Sequence, residues 1–162
     1  MKIRFLGAAR TVTGSCYHLS GDTMEILVDC GMYQGKNGEE VNRIPFQFNP
    51  AKISHVLLTH AHIDHSGLIP KLVRDGFRGR IITTAATADL AGIMLADSAN
   101  IQEKDAEWLT KKSFRNGSDR VYEPLYTKED AERALPFFDR KEYGVIESLG
   151  KDFRYRFVDA GH

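Results

Sequence analysis

Thr59-His60-Ala61-His62-Ile63-Asp64-His65 decides how this sequence is read. It follows the apolar run Ile53 to Leu58, a short buried strand by pattern, and precedes a helix expected from about Gly67 to Arg74, with Gly76 as its C-terminal cap. Side chains on extended backbone alternate with period two, so His60 and His62 point the same way. Asp64 and His65 come where the chain turns into the helix and can face the same hollow from the other side. One short loop thus offers three imidazoles and a carboxylate. That donor set suits zinc, and manganese or iron less strongly.

Two strand ends point towards the same chemistry. Asp29 closes the apolar run Ile26-Leu27-Val28. A carboxylate at the end of a buried strand needs a partner. Asp29 reads either as an acceptor for a ligand histidine or the loop backbone, or as a turn-forming residue. Asp159-Ala160-Gly161-His162 ends the last expected strand in a similar way, and His162 could complete a site with His60 and His62. His18 and His55 stand alone beside apolar stretches and read as ordinary strand residues.

The rest of the chain supplies a layered domain. Strands are expected at Lys2 to Leu6, Cys16 to Leu19, Met24 to Val28, Arg80 to Thr83, Glu142 to Ser148 and Phe153 to Val158. Gly31 to Pro50 reads as an ordered loop. Thr87 is expected to open a long helix towards Trp108, with Leu90, Ile93, Met94 and Ile101 as its buried stripe. Lys111 to Glu123 reads as loop. Thr127-Lys128-Glu129-Asp130 resembles a capping box opening a short helix. Strands first, then alternating strand and helix, argue for a mixed α/β or α+β layered domain.

Composition limits the function classes. The 162 residues carry 22 basic and 22 acidic side chains, so no global basic field exists to collect nucleic acid. Arg74, Arg78 and Arg80, and Lys111, Lys112 and Arg115, read as solvated faces first and phosphate contacts second. Arg4 interrupts the only N-terminal stretch that could serve as a signal core, and no apolar run could span a bilayer. Cys16 and Cys30 are therefore expected as reduced, buried thiols in the cytoplasm, although sequence alone leaves a disulfide open.

The His loop resembles the metal-binding signature of the metallo-β-lactamase superfamily. Phe5 to Ala9, Val12 to Cys16, Val28 to Gly35, Ser98 to Glu103 and Pro124 to Thr127 are similar to its β-CASP branch of RNA-processing nucleases, the branch that includes the nuclease subunit of the cleavage and polyadenylation factor. The resemblance implies an αββα sandwich, of which residues 1–162 would be the N-terminal half. The β-CASP cap and C-terminal half would lie outside this chain, and apolar surface would be exposed. It also implies that His60, His62 and His162 bind one zinc, that Asp64 and His65 bind a second, and that Asp29 supports the loop. Asp64 and His65 would thereby act in catalysis.

The implied activity is RNA phosphodiester hydrolysis by a metal-bound hydroxide. The implied partner is RNA; the apolar run lengths argue for no membrane, and a second copy of the chain is an open expectation. Two alternatives remain: hydrolysis of a small thioester or lactone, and a noncatalytic metal-binding assembly module.

Overall fold

The computed structural model describes residues 1–161 and is built around a six-stranded sheet. Its strands are β1 (Lys2–Phe5), β2 (Tyr17–Ser20), β3 (Glu25–Val28), β4 (Ile53–Leu57), β5 (Arg80–Thr84) and β6 (Phe138–Lys141), in that spatial order. β1, β2 and β3 form an antiparallel meander, whereas β3, β4, β5 and β6 run parallel. The helices are α1 (Gly38–Arg43), α2 (Ile63–Ser66), α3 (Ile69–Arg74), α4 (Ala85–Arg115) and α5 (Lys128–Ala134). Two short strands, β7 (Glu147–Leu149) and β8 (Phe153–Tyr155), pair antiparallel as a separate small sheet.

Alternation along the strands gives the sheet two apolar faces. Leu27, Val56, Leu58 and Ile81 face α3 and α4, where Ile69, Leu72, Ala91, Leu95 and Ala99 close the main core. Ile26 and Ile82 point the other way, onto Leu149 and Phe153 of the small sheet. Parallel strands buried on both faces read as continuous apolar runs, as these do. Ile53 joins the main core despite its position in the alternation. A register shift opposite Glu25 and Ile26 explains this, and Ser54 donates to the Glu25 carbonyl there at 2.9 Å. Helices, large sheet and small sheet thus stack as three successive layers, as expected for the N-terminal part of an αββα sandwich.

The small sheet is tied down by polar contacts. The Asp152 carboxylate accepts from the Thr23 N–H (2.7 Å), the Thr23 hydroxyl (2.8 Å) and the Met24 N–H (3.0 Å), and these bonds hold its pKa below the usual carboxylate value. Lys141 on β6 reaches Glu147 on β7 at 3.2 Å and Asp139 at 3.4 Å. No helix among the described residues is long and apolar enough to cross a membrane. Cys16 and Cys30 are free and buried. A hydrogen bond with Cys16, together with burial, pushes the Cys30 thiol well above its ordinary pKa, so it behaves as a packing residue.

Several sequence expectations need correction. Leu90, Ile93 and Ile101 are exposed, not buried. The buried stripe of α4 is Ala88, Ala91, Leu95, Ala99 and Ala106. Small residues let this helix approach its neighbours closely, and Leu90, Ile93 and Ile101 fall on the opposite face. α4 begins at Ala85 rather than Thr87, because the Thr84 hydroxyl accepts from the Thr87 N–H and serves as the N-cap. It also continues to Arg115, into the expected loop. α1 lies inside the expected 31–50 loop, and β6 was not expected. The closing strands are shorter than read, leaving Asp159 to Gly161 outside any strand. The capping box is present: Thr127 and Asp130 exchange side-chain-to-backbone bonds around the start of α5.

Candidate metal centre

The site lies where two parallel strands end. Asp29 follows β3 directly, and Thr59 to His65 lead from the end of β4 into α2. The carboxyl ends of neighbouring parallel strands are the usual place for a ligand crevice. Backbone bonds stitch three segments together there. Ser15 N–H donates to the Asp64 carbonyl (2.8 Å), Cys30 N–H to the His65 carbonyl (2.8 Å) and Met32 N–H to the Ile63 carbonyl (3.0 Å). Gly31 N–H donates to the Ser15 carbonyl at 2.8 Å. The approach is so close that a Cβ on Gly31 would collide with the Asp64 carbonyl.

Asp29 organises the loop. It is 2% exposed and adopts φ of 60°, a left-handed conformation that Asp tolerates better than most residues. One carboxylate oxygen accepts from the Thr59 N–H (2.8 Å) and hydroxyl (2.9 Å). The other accepts from the Ser15 hydroxyl (3.1 Å) and His65 Nδ1 (2.7 Å). Of the two readings of Asp29, these contacts favour the acceptor for a histidine and the loop backbone.

These contacts assign the protons. A carboxylate only accepts, so His65 Nδ1 carries a hydrogen, and whenever the ring is neutral Nε2 carries the lone pair. The hydrogen bond to Asp29 raises the His65 pKa above its ordinary value, against the opposing effect of burial. The single Thr59 proton goes to Asp29. His60 Nδ1, 3.0 Å from the Thr59 oxygen, must then donate to it, which leaves His60 Nε2 as an acceptor. Sequence reasoning missed the roles of Thr59 and Ser15, although both lie within the motifs quoted above. A hydroxyl directly before the first histidine was the available signal.

The donors meet as two pairs. His60 Nε2 lies 3.1 Å from His62 Nδ1. Two nitrogens at about 2.0–2.1 Å from one tetrahedral ion stand about 3.3 Å apart, so the pair already spans roughly one coordination edge. His65 Nε2 lies 3.7 Å from an Asp64 carboxylate oxygen, a second pair of the same kind. The His60 and His65 rings are 4.0 Å apart between centroids, which makes the two pairs neighbours. Among the described residues no three His, Cys, Asp or Glu side chains converge in the geometry of a metal site. His162 lies outside the described residues. The donor chemistry fits a divalent cation: imidazole lone pairs beside a carboxylate, with one histidine backed by a buried aspartate.

The model of the metallo-beta-lactamase superfamily matches residues 9–138, a stretch that contains both donor pairs and Asp29. The chain belongs to the metallo-beta-lactamase superfamily. Its sequence is 40% identical over 162 residues to the protein named Ribonuclease TTHA0252 from Thermus thermophilus, covering 100% of this chain and 33% of that one. It is 28% identical over 167 residues to Transcription termination factor FttA from Methanosarcina mazei, covering 100% of this chain and 23% of that one. The chain therefore spans a third or less of these curated relatives. A solved archaeal metallo-beta-lactamase superfamily protein from Sulfolobus tokodaii is 23% identical, with a TM-score of 0.49, over 89% of this chain and 48% of that one.

The remaining histidines, and Arg74, Arg78, Lys111 and Lys112 of the basic clusters, have contacts elsewhere. His18 is buried, with Nε2 3.0 Å from Glu25. His55 sits in β4, and burial lowers its pKa. Neither joins the site. Arg74 donates to the Leu125 carbonyl at 2.6 Å, and Arg78 donates to the Val73 (2.9 Å) and Phe77 (2.6 Å) carbonyls. Lys111 pairs with Glu107, and Lys112 lies over the Trp108 ring. These cations serve packing and helix faces.

Proposed function

We propose that this chain is the metal-binding part of a zinc-dependent hydrolase that cleaves RNA phosphodiester bonds, in the manner of the β-CASP nucleases. The observation that carries the reading is the hydrogen-bond chain through Asp29, Thr59, His60 and His65. It engages Nδ1 of both His60 and His65, so that in the neutral rings Nε2 is the nitrogen left to accept. Histidines that served only packing would need no such tautomer control. The ribonuclease name of a relative 40% identical over the whole chain supports RNA as the substrate class.

In this reading His60 and His62 hold one ion together with His162, and Asp64 and His65 hold a second. When bound, the metal supplies a Lewis acid that polarises a phosphoryl oxygen and makes water a competent nucleophile near neutral pH. The protein's own contribution is preorganisation. Asp29 holds His65 in one tautomer and one ring orientation. Thr59 transmits the same carboxylate to His60. The Ser15, Cys30 and Met32 backbone bonds tie the His loop to two neighbouring segments. Residues 1–162 would form the N-terminal part of a longer hydrolase working in the cytoplasm, where two free thiols are stable.

RNA hydrolysis by the purified chain loaded with zinc tests the proposal. Cleavage that is abolished by EDTA and by His62→Ala is expected. Turnover of a thioester or lactone with no RNA cleavage would replace it with the small-molecule reading. Stoichiometric zinc uptake with no turnover of either substrate would replace it with a noncatalytic assembly module.

A further inference from the structure

The long helix α4 turns a stripe of large apolar side chains, interrupted by two charges, away from the core. At 100° per residue, Leu90, Ile93, Asp97, Ile101, Lys104 and Trp108 fall on one narrow stripe, opposite the alanines that pack on the core. Leu90 is 49% exposed, Ile93 69%, Ile101 52% and Trp108 58%. Four large apolar side chains aligned on one exposed helix face mark an interaction surface rather than scattered surface residues.

The charges on the stripe identify the occupant. Asp97 and Lys104 are two turns apart, about 10 Å along the axis, and cannot reach each other within one helix. Neither forms an ion pair among the described residues, whereas neighbouring charges on α4 do: Glu107 with Lys111, and Asp89 with Arg140. A two-fold axis passing between Asn100 and Ile101 changes this. It sets a second copy of α4 antiparallel to the first and brings Asp97 of each copy opposite Lys104 of the other. The same operation brings each Ile93 opposite the other Trp108 and sets the two Ile101 side chains side by side at the centre. The stripe is thus complementary to itself in both charge and apolar character, as an isologous contact requires.

We propose that this face of α4 is a homodimer interface, with two copies of the chain packed antiparallel about Ile101. The inference stands independently of the hydrolase reading, because none of its residues belongs to the candidate metal centre.

Sedimentation equilibrium of the 162-residue chain, with charge-reversed and cysteine variants, tests it. A dimer is expected for the parent chain. Asp97→Lys or Lys104→Asp each creates two like-charge contacts per dimer and should raise the dimer Kd by roughly tenfold or more. The double variant restores both pairs and should return to within about threefold of the parent, since the coupling sits in the pairs themselves. Under mild oxidation, Ile101→Cys should cross-link to itself. Ile93→Cys alone should not, because its copies would stand about 22 Å apart along the axis. Ile93→Cys combined with Trp108→Cys should cross-link. All these positions are exposed, and circular dichroism verifies that each variant keeps its helix. A monomeric parent, a dimer indifferent to both charge reversals, failure of the double variant to recover, or cross-linking of Ile93→Cys alone would each overturn the proposal.

Discussion

Asp29→Asn isolates the group that orders the His loop. The substitution keeps the side chain's size and removes only charge and one acceptor. If the amide oxygen stays on the Thr59 side, it still accepts from the Thr59 N–H and hydroxyl. The amide nitrogen then faces Ser15, which can accept from it, and His65 Nδ1, 2.7 Å away in the parent. Two N–H donors cannot share that gap, so His65 must switch tautomer and place its hydrogen on Nε2. Loss of a hydrogen bond to a charged partner costs about 1.5–3 kcal/mol at a site this buried. For a chain of this size that corresponds to a fall in Tm of roughly 3–12 °C, at about 2–4 °C per kcal/mol. Zinc affinity should fall about 10–100-fold, as it does when a histidine ligand loses its carboxylate support. Thermal unfolding reads the first quantity, titration calorimetry the second, and nitrogen-15 correlation spectra of the imidazoles the tautomer. An Asp29→Asn variant with Tm unchanged within about 1 °C and His65 still protonated on Nδ1 would refute the reasoning.

Three further outcomes follow from other parts of the molecule. Burial holds the His55 pKa below its ordinary value of 6.5, so the unfolded chain binds its proton more readily than the folded one. Its stability contribution is therefore present above pH 6.5 and is lost as pH falls through the depressed folded value. His55→Gln should flatten that part of the urea-midpoint profile between pH 7 and pH 5, and an unchanged slope would count against it. Gly31→Ala forces a methyl against the Asp64 carbonyl and should cost about 1–3 kcal/mol in chemical denaturation. Thr84→Ala removes the hydroxyl that accepts from Thr87 N–H and should cost about 1 kcal/mol by the same measurement.

The His loop was legible because its chemistry is local. Three histidines and an aspartate in six positions need only period-two alternation to share a hollow, and the structure brings them together as two pairs. Asp29 was legible as a buried carboxylate in need of a partner. Its partners were not, because Thr59 and Ser15 reach it only after β3, β4 and the 14–16 segment have come together. α4 was recognisable as a helix, but the wrong face was assigned to the core. Apolar size suggested Leu90, Ile93 and Ile101, whereas close approach to the sheet selects Ala88, Ala91 and Ala99. β6 was hidden by Asp139-Arg140-Lys141, whose charges mask an edge strand held by parallel pairing to β5. The family was legible in the His loop and the glycine-containing segments around it, and the superfamily match over residues 9–138 agrees with that resemblance.

Hydrolysis at this site requires the His loop to hold a metal ion. A crystal of the chain grown with zinc and measured at the zinc absorption edge tests that directly. The expected result is an anomalous peak about 2.0–2.1 Å from both His60 Nε2 and His62 Nδ1. A zinc-saturated crystal with no peak between those nitrogens, or with its zinc held elsewhere on the surface, would contradict it.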